Sequence, residues 1–234
     1  MSGDRHSRMV SGYFSGIVAW YDFLNRFLSL GQDIYWRKRL VHHLRTRGNG
    51  LVIDLAAGTL DVTREILDCH PQSRVLALDY TLPMLIRGRG KISSADSAFF
   101  PVQADGRELP VPDNCADSVT IAFGIRNIVP RTKAYSEILR VLRPGGRLCI
   151  LEFGTGKKRI LGGLYNFYLT KVLPLLGRVI SRDKQAYQYL ADTIKDFPRS
   201  RDLAMEMKRA GFSRVFYYPL SWGIVYIHVG DKDG

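Results

Sequence analysis

Leu51-Val52-Ile53-Asp54-Leu55-Ala56-Ala57-Gly58-Thr59 decides the architecture of this chain. A short apolar run meets an acid at Asp54, and small residues follow at once. Such a run bounded by turn residues reads as a buried strand, and small residues after it let the backbone come close to a ligand. The pattern returns in Arg74-Val75-Leu76-Ala77-Leu78-Asp79, which ends in an acid 25 residues after Asp54. Between the two, residues 61–69 read as a helix with His70-Pro71 behind it. Pro83 suits the first turn of a second helix reaching about Lys91. Residues 99–103, 118–123 and 147–153 read as further strands. Residues 132–142 have helical spacing, with Tyr135, Ile138, Leu139 and Leu142 on one face, and Arg143-Pro144-Gly145-Gly146 stops them. Residues 201–210 are helical with Gly211 as cap, and residues 215–219 and 224–229 form a closing hairpin turned at Ser221-Trp222-Gly223. Strands alternating with helices predict a mostly parallel α/β sheet with helices on both faces. Ligands in such sheets bind beyond the carboxyl ends of the strands.

A length of 234 residues suits one α/β domain with an elaboration. An apolar fraction of 46% excludes a disordered tail protein. Cys69, Cys115 and Cys149 are widely spaced and form no CxxC, which argues against a disulfide scaffold or a zinc site and for a reducing cytosol. The first residues lack the pattern of a secretory leader. The balance of 34 Lys and Arg against 22 Asp and Glu is the unusual feature, and its location is uneven. Residues 1–50 carry a net +5 and residues 154–186 a net +6, whereas residues 51–153 are neutral. These two segments lie outside the strand-helix pattern. The first is a helical N-terminal segment; the second is an insertion after the fifth strand of the domain that spans residues 51–234, where a substrate cap would sit. Basic surfaces attract nucleic acid or anionic lipid, and a merely solvated face is the bland alternative.

The strand ends supply the chemistry. Asp54 to Thr59 form the first turn, Asp79 ends the second strand, Asp105-Gly106 follows the third, and Ala122-Phe123-Gly124 the fourth. An acid after the second strand can accept both hydroxyls of a ribose, and one after the third can accept from an adenine amino group. A tight turn with surface acids explains one such end, not all four. An NAD site competes, but G-x-G-x-x-G is missing, as is the GxxxxGK[ST] phosphate clamp.

With these residues the chain resembles the class I methyltransferases that use S-adenosylmethionine, and more narrowly the C-methyltransferases of ubiquinone and menaquinone biosynthesis. The similarity runs nearly end to end: Tyr21-Asp22 with Asn25, Leu28 to Gly31, Trp36-Arg37, Asp54 to Asp61, Leu78-Asp79, Ala104-Asp105, Leu109-Pro110, Arg140 to Gly146 and Leu151-Glu152-Phe153. Phe123-Gly124-Ile125-Arg126-Asn127 and Tyr187-x-Tyr189-Leu190 are its most specific stretches. The resemblance implies a Rossmann-like fold with a mostly parallel seven-stranded sheet. It implies S-adenosylmethionine as co-substrate, with Asp54 and Gly58 in the binding turn and Thr59 near the methionine end. Asp79 would hold the ribose; Asp105, Gly106 and Ala122 would flank the adenine. Ala57 and Leu60 depart from the more glycine-rich form of the first turn, and a branched Leu60 would narrow the methionine pocket.

The implied reaction is C-methylation of a polyprenyl quinol, with demethylmenaquinol favoured over the methoxy-polyprenyl benzoquinol, or both accepted. A quinol carbon becomes nucleophilic as its phenolic proton leaves, so the protein must align the reactants and stabilise a phenolate. Arg126 and Asn127 are the expected catalytic and substrate-binding groups, with Tyr187 and Tyr21 beside them. A structural ion pair is the competing use of Arg126, and ring packing that of the tyrosines. No histidine among His42, His43, His70 and His228 is an attractive base, and no metal spacing is present. The expected partner is an isoprenoid quinol dissolved in a membrane, reached through the basic segments 1–50 and 154–186 on an anionic surface at the inner face of the cytoplasmic membrane. In residues 161–180 the apolar run is broken by Lys171, Pro174 and Arg178, so an amphipathic cap or a core helix over the site fits better than a span. No nucleic-acid reading motif is present; a homodimer is left open.

Overall fold

The computed structural model of the protein describes residues 3–92, 98–154 and 184–234. Three helices, α1 (Gly3–Ile17), α2 (Tyr21–Leu28) and α3 (Gln32–Val41), precede the sheet. There follow β1 (Leu51–Leu55), α4 (Asp61–Cys69), β2 (Arg74–Asp79), α5 (Leu82–Arg89), β3 (Phe99–Gln103), β4 (Ala116–Ala122), a 3₁₀ turn (Ile125–Asn127), α6 (Arg131–Val141) and β5 (Leu142–Phe153). The last described elements are α7 (Lys184–Asp196), α8 (Ser200–Ala210), β6 (Arg214–Leu220) and β7 (Val225–Asp231). The strand order is β3-β2-β1-β4-β5-β7-β6. The first five strands pair in parallel, and β7 runs antiparallel to both β5 and β6. The chain's direction of winding reverses between β1 and β4, which opens a crevice at their carboxyl ends.

The sheet is apolar on both faces because its strands alternate between two cores. Ile53 of β1 and Leu148 and Ile150 of β5 join one core; Val52, Cys149 and Leu151 join the other. That period of two is the geometry of a strand buried on both sides. The first face is covered by Tyr135 and Ile138 of α6 and Leu203 and Met207 of α8. The second is covered by Trp36 and Leu40 of α3 and Val62 and Ile66 of α4.

Two elements differ from the sequence reading. Arg143-Pro144-Gly145-Gly146 ends α6 but does not delay β5: the ladder steps from Leu142 opposite Ala116 to Arg147 opposite Ser118. The four residues bulge against Asp117, whose carboxylate takes Arg143 Nη1 at 2.9 Å. Helix α7 was not anticipated as an element; only its Tyr-x-Tyr-Leu stretch stood out. The proposed cap at 154–186 lies largely outside the described residues.

Candidate functional site

A cleft with an empty volume of about 730 Å3, open to solvent, lies at the carboxyl ends of β1, β2, β3 and β4. Asp79 stands between the two turns that flank it. Its Oδ2 accepts the Gly58 amide at 2.8 Å and its Oδ1 the Thr81 amide at 2.7 Å. The Thr81 hydroxyl also hydrogen-bonds the carboxylate, and the acceptor capacity that remains is available to a ribose hydroxyl. Burial raises the Asp79 pKa, and the Thr81 and Gly58 amides and the Thr81 hydroxyl oppose it.

The first and fourth turns are pressed together. A Cβ on Gly124 would lie 2.4 Å from the Ala56 Cβ, so only glycine fits there. Ala56 (φ 57°) and Phe123 (φ 56°) both adopt the left-handed region that side chains disfavour. Strained backbone of this kind clusters at ligand sites. Asp54 lies beneath the turn, not in the cleft. Its oxygens accept the hydroxyls of Thr63 at 2.6 Å and Thr120 at 3.0 Å, and burial pushes its pKa up to about 6.

Gly58, Asp79, Asp105, Gly106, Ala122, Asn127 and Tyr21 line the cleft together. Asp105 faces it with its acceptor capacity taken up: Arg107 reaches it through the backbone amide, Nε and Nη2, the last at 2.6 Å. Burial alone would raise the Asp105 pKa, but those bonds and the Arg107 charge hold it low. Thr59 is buried and donates to Asp22 of α2 at 2.6 Å; it ties a helix to the first turn and is not among the lining residues. Leu60 does not narrow the cleft. It is fully buried beside Ala57, Ala77 and Leu85, where a Cβ on Gly88 would approach its Cγ to 2.6 Å.

Arg126 sits behind the cleft wall. Its Nη1 donates to Glu152 Oε1 at 2.7 Å and to the Phe123 carbonyl at 2.7 Å, and its side chain is only 5% exposed. Burial raises the Glu152 pKa, and the Arg126 charge opposes it. Asn127 does reach the cleft, and its Oδ1 accepts the Tyr189 hydroxyl at 3.1 Å. Burial pushes the Tyr189 phenol up to about 12, so it stays a proton donor at neutral pH. The Tyr187 backbone lies in α7; its side chain is outside the description. Tyr21 lines the cleft edge-on to Phe14, with its phenol pKa raised by burial.

The N-terminal contribution escaped the sequence reading. Ser7, Val10, Ser11 and Phe14 of α1 complete the wall, and Arg107 Nη2 holds α1 through Asp4 at 2.7 Å. His6 of the same helix has an enclosed Nε2 without a partner among the described residues, and burial lowers its pKa, so its ring is neutral. An acid–arginine contact spanning 103 positions leaves no trace in local sequence.

The model of the ubiE/COQ5 methyltransferase family matches residues 2–232. The chain belongs to that family. It is 42% identical over 219 residues to the demethylmenaquinone methyltransferase of Thermus thermophilus, covering 94% of this chain and 99% of that protein. It is 41% identical over 226 residues to the ubiquinone/menaquinone biosynthesis C-methyltransferase UbiE of Geobacter sulfurreducens, covering 94% and 86%. Among solved structures, an S-adenosylmethionine-dependent methyltransferase of Thermotoga maritima, a possible histamine N-methyltransferase, superposes with a TM-score of 0.68 at 17% identity over 96% of this chain and 100% of that one. Such a likeness establishes the fold. The ubiE/COQ5 member described here is thus a methyltransferase with the class I fold of the S-adenosylmethionine-dependent enzymes. Its cleft fits that co-substrate: an oriented carboxylate with acceptor capacity left at Asp79, and small residues at Ala56, Gly58, Gly106, Ala122 and Gly124.

Proposed function

We propose that this enzyme methylates a ring carbon of a membrane-dissolved isoprenoid quinol, demethylmenaquinol in the first place, with the ubiquinone precursor as second substrate. The end-to-end likeness to the Thermus thermophilus demethylmenaquinone methyltransferase carries the reading. The cleft suits it: Phe14, Tyr21 and Phe123 offer aromatic walls for a planar ring, and Asn127 offers an amide among them. When bound, S-adenosylmethionine supplies an electrophilic methyl group. The chain's own residues then have to place the quinol and stabilise the oxygen that loses its proton. The Tyr189 hydroxyl donates to Asn127 Oδ1, so the Asn127 amide nitrogen is left to donate to a phenolate. Arg126, paired to Glu152 and bonded to the Phe123 carbonyl, braces the wall from behind. Among the described residues no helix is long and apolar enough to cross a membrane.

The test is methyl transfer from labelled S-adenosylmethionine, with reduced demethylmenaquinone and the methoxy-polyprenyl benzoquinol offered in parallel in vesicles. Label in demethylmenaquinol alone gives the menaquinone reading, and label in both gives dual function. Label in neither, with the co-substrate bound, defeats the proposal. Tyr189→Phe removes only the donor that orients Asn127. Its kcat should fall roughly three- to tenfold, matching one net hydrogen bond, with co-substrate affinity unchanged in calorimetry.

A further inference from the structure

We infer that the enzyme meets the bilayer through a wedge built from two chain-distant turns, the Leu30 turn between α2 and α3 and the Trp222 turn between β6 and β7. The inference deepens the proposed function, from which it takes the bilayer as the place of the substrate. Leu30 is 86% exposed and Trp222 90%, the two largest values among the exposed large apolar side chains described. Both sit in the left-handed region at φ 52°, each followed by a left-handed glycine, Gly31 and Gly223. A bulky residue there carries a conformational cost that asparagine or glycine would avoid. Among the described residues neither side chain is covered enough to offset that cost.

The two turns are bound to each other. Ser221 hydrogen-bonds Gln32, and Trp36 Nε1 donates to Ser221 Oγ at 2.8 Å. Leu30 and Trp222 are therefore within roughly 20 Å of one another by chain geometry alone. The Trp222 turn lies at the carboxyl end of β5, since Val225 pairs with Phe153. That is the end of the sheet where the cleft opens.

The flanking surface continues the apolar face and then changes sign. On α2, Phe23 and Phe27 are both about half exposed and stack at 5.9 Å. On α3 the outward residues are Ile34 and Tyr35, then Lys38 and Arg39 four positions on. Positions four apart share a helix face, about 6 Å apart along the axis. An apolar tip backed one turn later by cations matches an acyl boundary beneath anionic headgroups. The acids of this region are turned inward: Asp22 takes Thr59 and Lys91, and Asp33 takes Ser29 and Arg37. Lys38 and Arg39 enter no ion pair among the described residues. The occupant this surface fits is an anionic lipid bilayer. Trp222 lies outside both basic segments and is invisible to a reading by charge.

The experiment uses the double variant Leu30→Asn/Trp222→Asn, because asparagine accepts the left-handed region and should leave the fold intact. Flotation with vesicles of phosphatidylethanolamine and phosphatidylglycerol, without quinol, should show affinity lowered by about tenfold or more. Methylation of a long-tailed quinol in those vesicles should fall in parallel, while turnover of a tail-less quinol in solution stays at the wild-type rate. Wild-type vesicle affinity in the variant overturns the wedge. So does a variant that only converts a wild-type dimer to a monomer, which would seat a second copy on this surface. If the wild type floats through these residues yet methylates neither quinol, the wedge stands and the substrate reading falls.

Discussion

Asp54 and Asp79 end neighbouring strands, yet the fold uses them in opposite ways. Asp79 is oriented by two amides with lone pairs left over, so its loss should fall on co-substrate binding. Asp79→Ala should weaken S-adenosylmethionine affinity roughly 10- to 100-fold, the worth of hydrogen bonds to a charged group, as read by calorimetry; unchanged affinity would remove the ribose assignment. Asp54 is sealed among two threonine hydroxyls and titrates near 6 in the fold against 3.8 as the reference. The folded state therefore holds the proton more tightly than the unfolded one. Its contribution to stability is present below about pH 3.8 and is lost as pH rises through about 6. The difference across that window is on the order of 3 kcal/mol. Urea unfolding of Asp54→Asn against wild type should show the mutant flatter between those pH values, and parallel curves would refute it. The Arg126–Glu152 pair behaves differently again. Arg126→Ala strands a buried carboxylate and frees the Phe123 carbonyl, so it should cost about 3–5 kcal/mol in urea unfolding. Arg126→Met with Glu152→Leu should recover most of that loss, and an additive double variant would mean that the two side chains are not coupled.

Helix α1 is the element on which the cleft depends and the one least written into local sequence. Its residues Ser7, Val10, Ser11 and Phe14 make one wall, while Asp4 and Arg107 pin its start. Asp4 is 71% exposed on its side chain, so that ion pair contributes at most about 1 kcal/mol. Asp4→Ala should therefore weaken co-substrate binding less than about fivefold, whereas removal of residues 1–18 should abolish it and leave the sheet's cooperative unfolding in place. Calorimetry and circular dichroism on the two proteins distinguish these effects. The parallel strands could be read in advance because each is a short apolar run closed by an acid or a turn; residues 74–79 and 99–103 match their strands end to end. Leu60 could not, because its left-handed φ of 63° turns the side chain away from the cleft, and a backbone sign is not encoded by residue type alone. Arg126 was ambiguous for a related reason: the motif placed it at the right strand end, but its partner Glu152 lies on β5 and only the parallel pairing brings them together.

The charge map gains meaning once the elements are placed. The sheet and its helices within residues 51–153 are neutral, whereas residues 1–50 and 154–186 together hold +11 of the net +12. The first of these segments supplies α1 to α3, fastened to the first turn by Asp22 and to α4 by Arg37 on Asp61, while Lys91 bridges Asp22 and Asp61. The positive charge of residues 1–50 thus rides on helices beside the cleft, and not on the sheet that holds the co-substrate. Each cation near an anionic surface is worth about 1 kcal/mol, and that attraction is screened over about 10 Å at 0.1 M salt and about 3 Å at 1 M. Apolar insertion is not screened. Affinity for phosphatidylglycerol vesicles should therefore drop steeply between about 0.1 M and 1 M salt and level off at a residual value that the charges do not supply. Turnover of a tail-less quinol in solution at saturating co-substrate should ignore salt over the same range, because a neutral quinol offers no charge to be screened. A vesicle affinity indifferent to salt would mean that the basic segments do not face lipid, and turnover falling with salt in solution would place the charge in the chemistry instead.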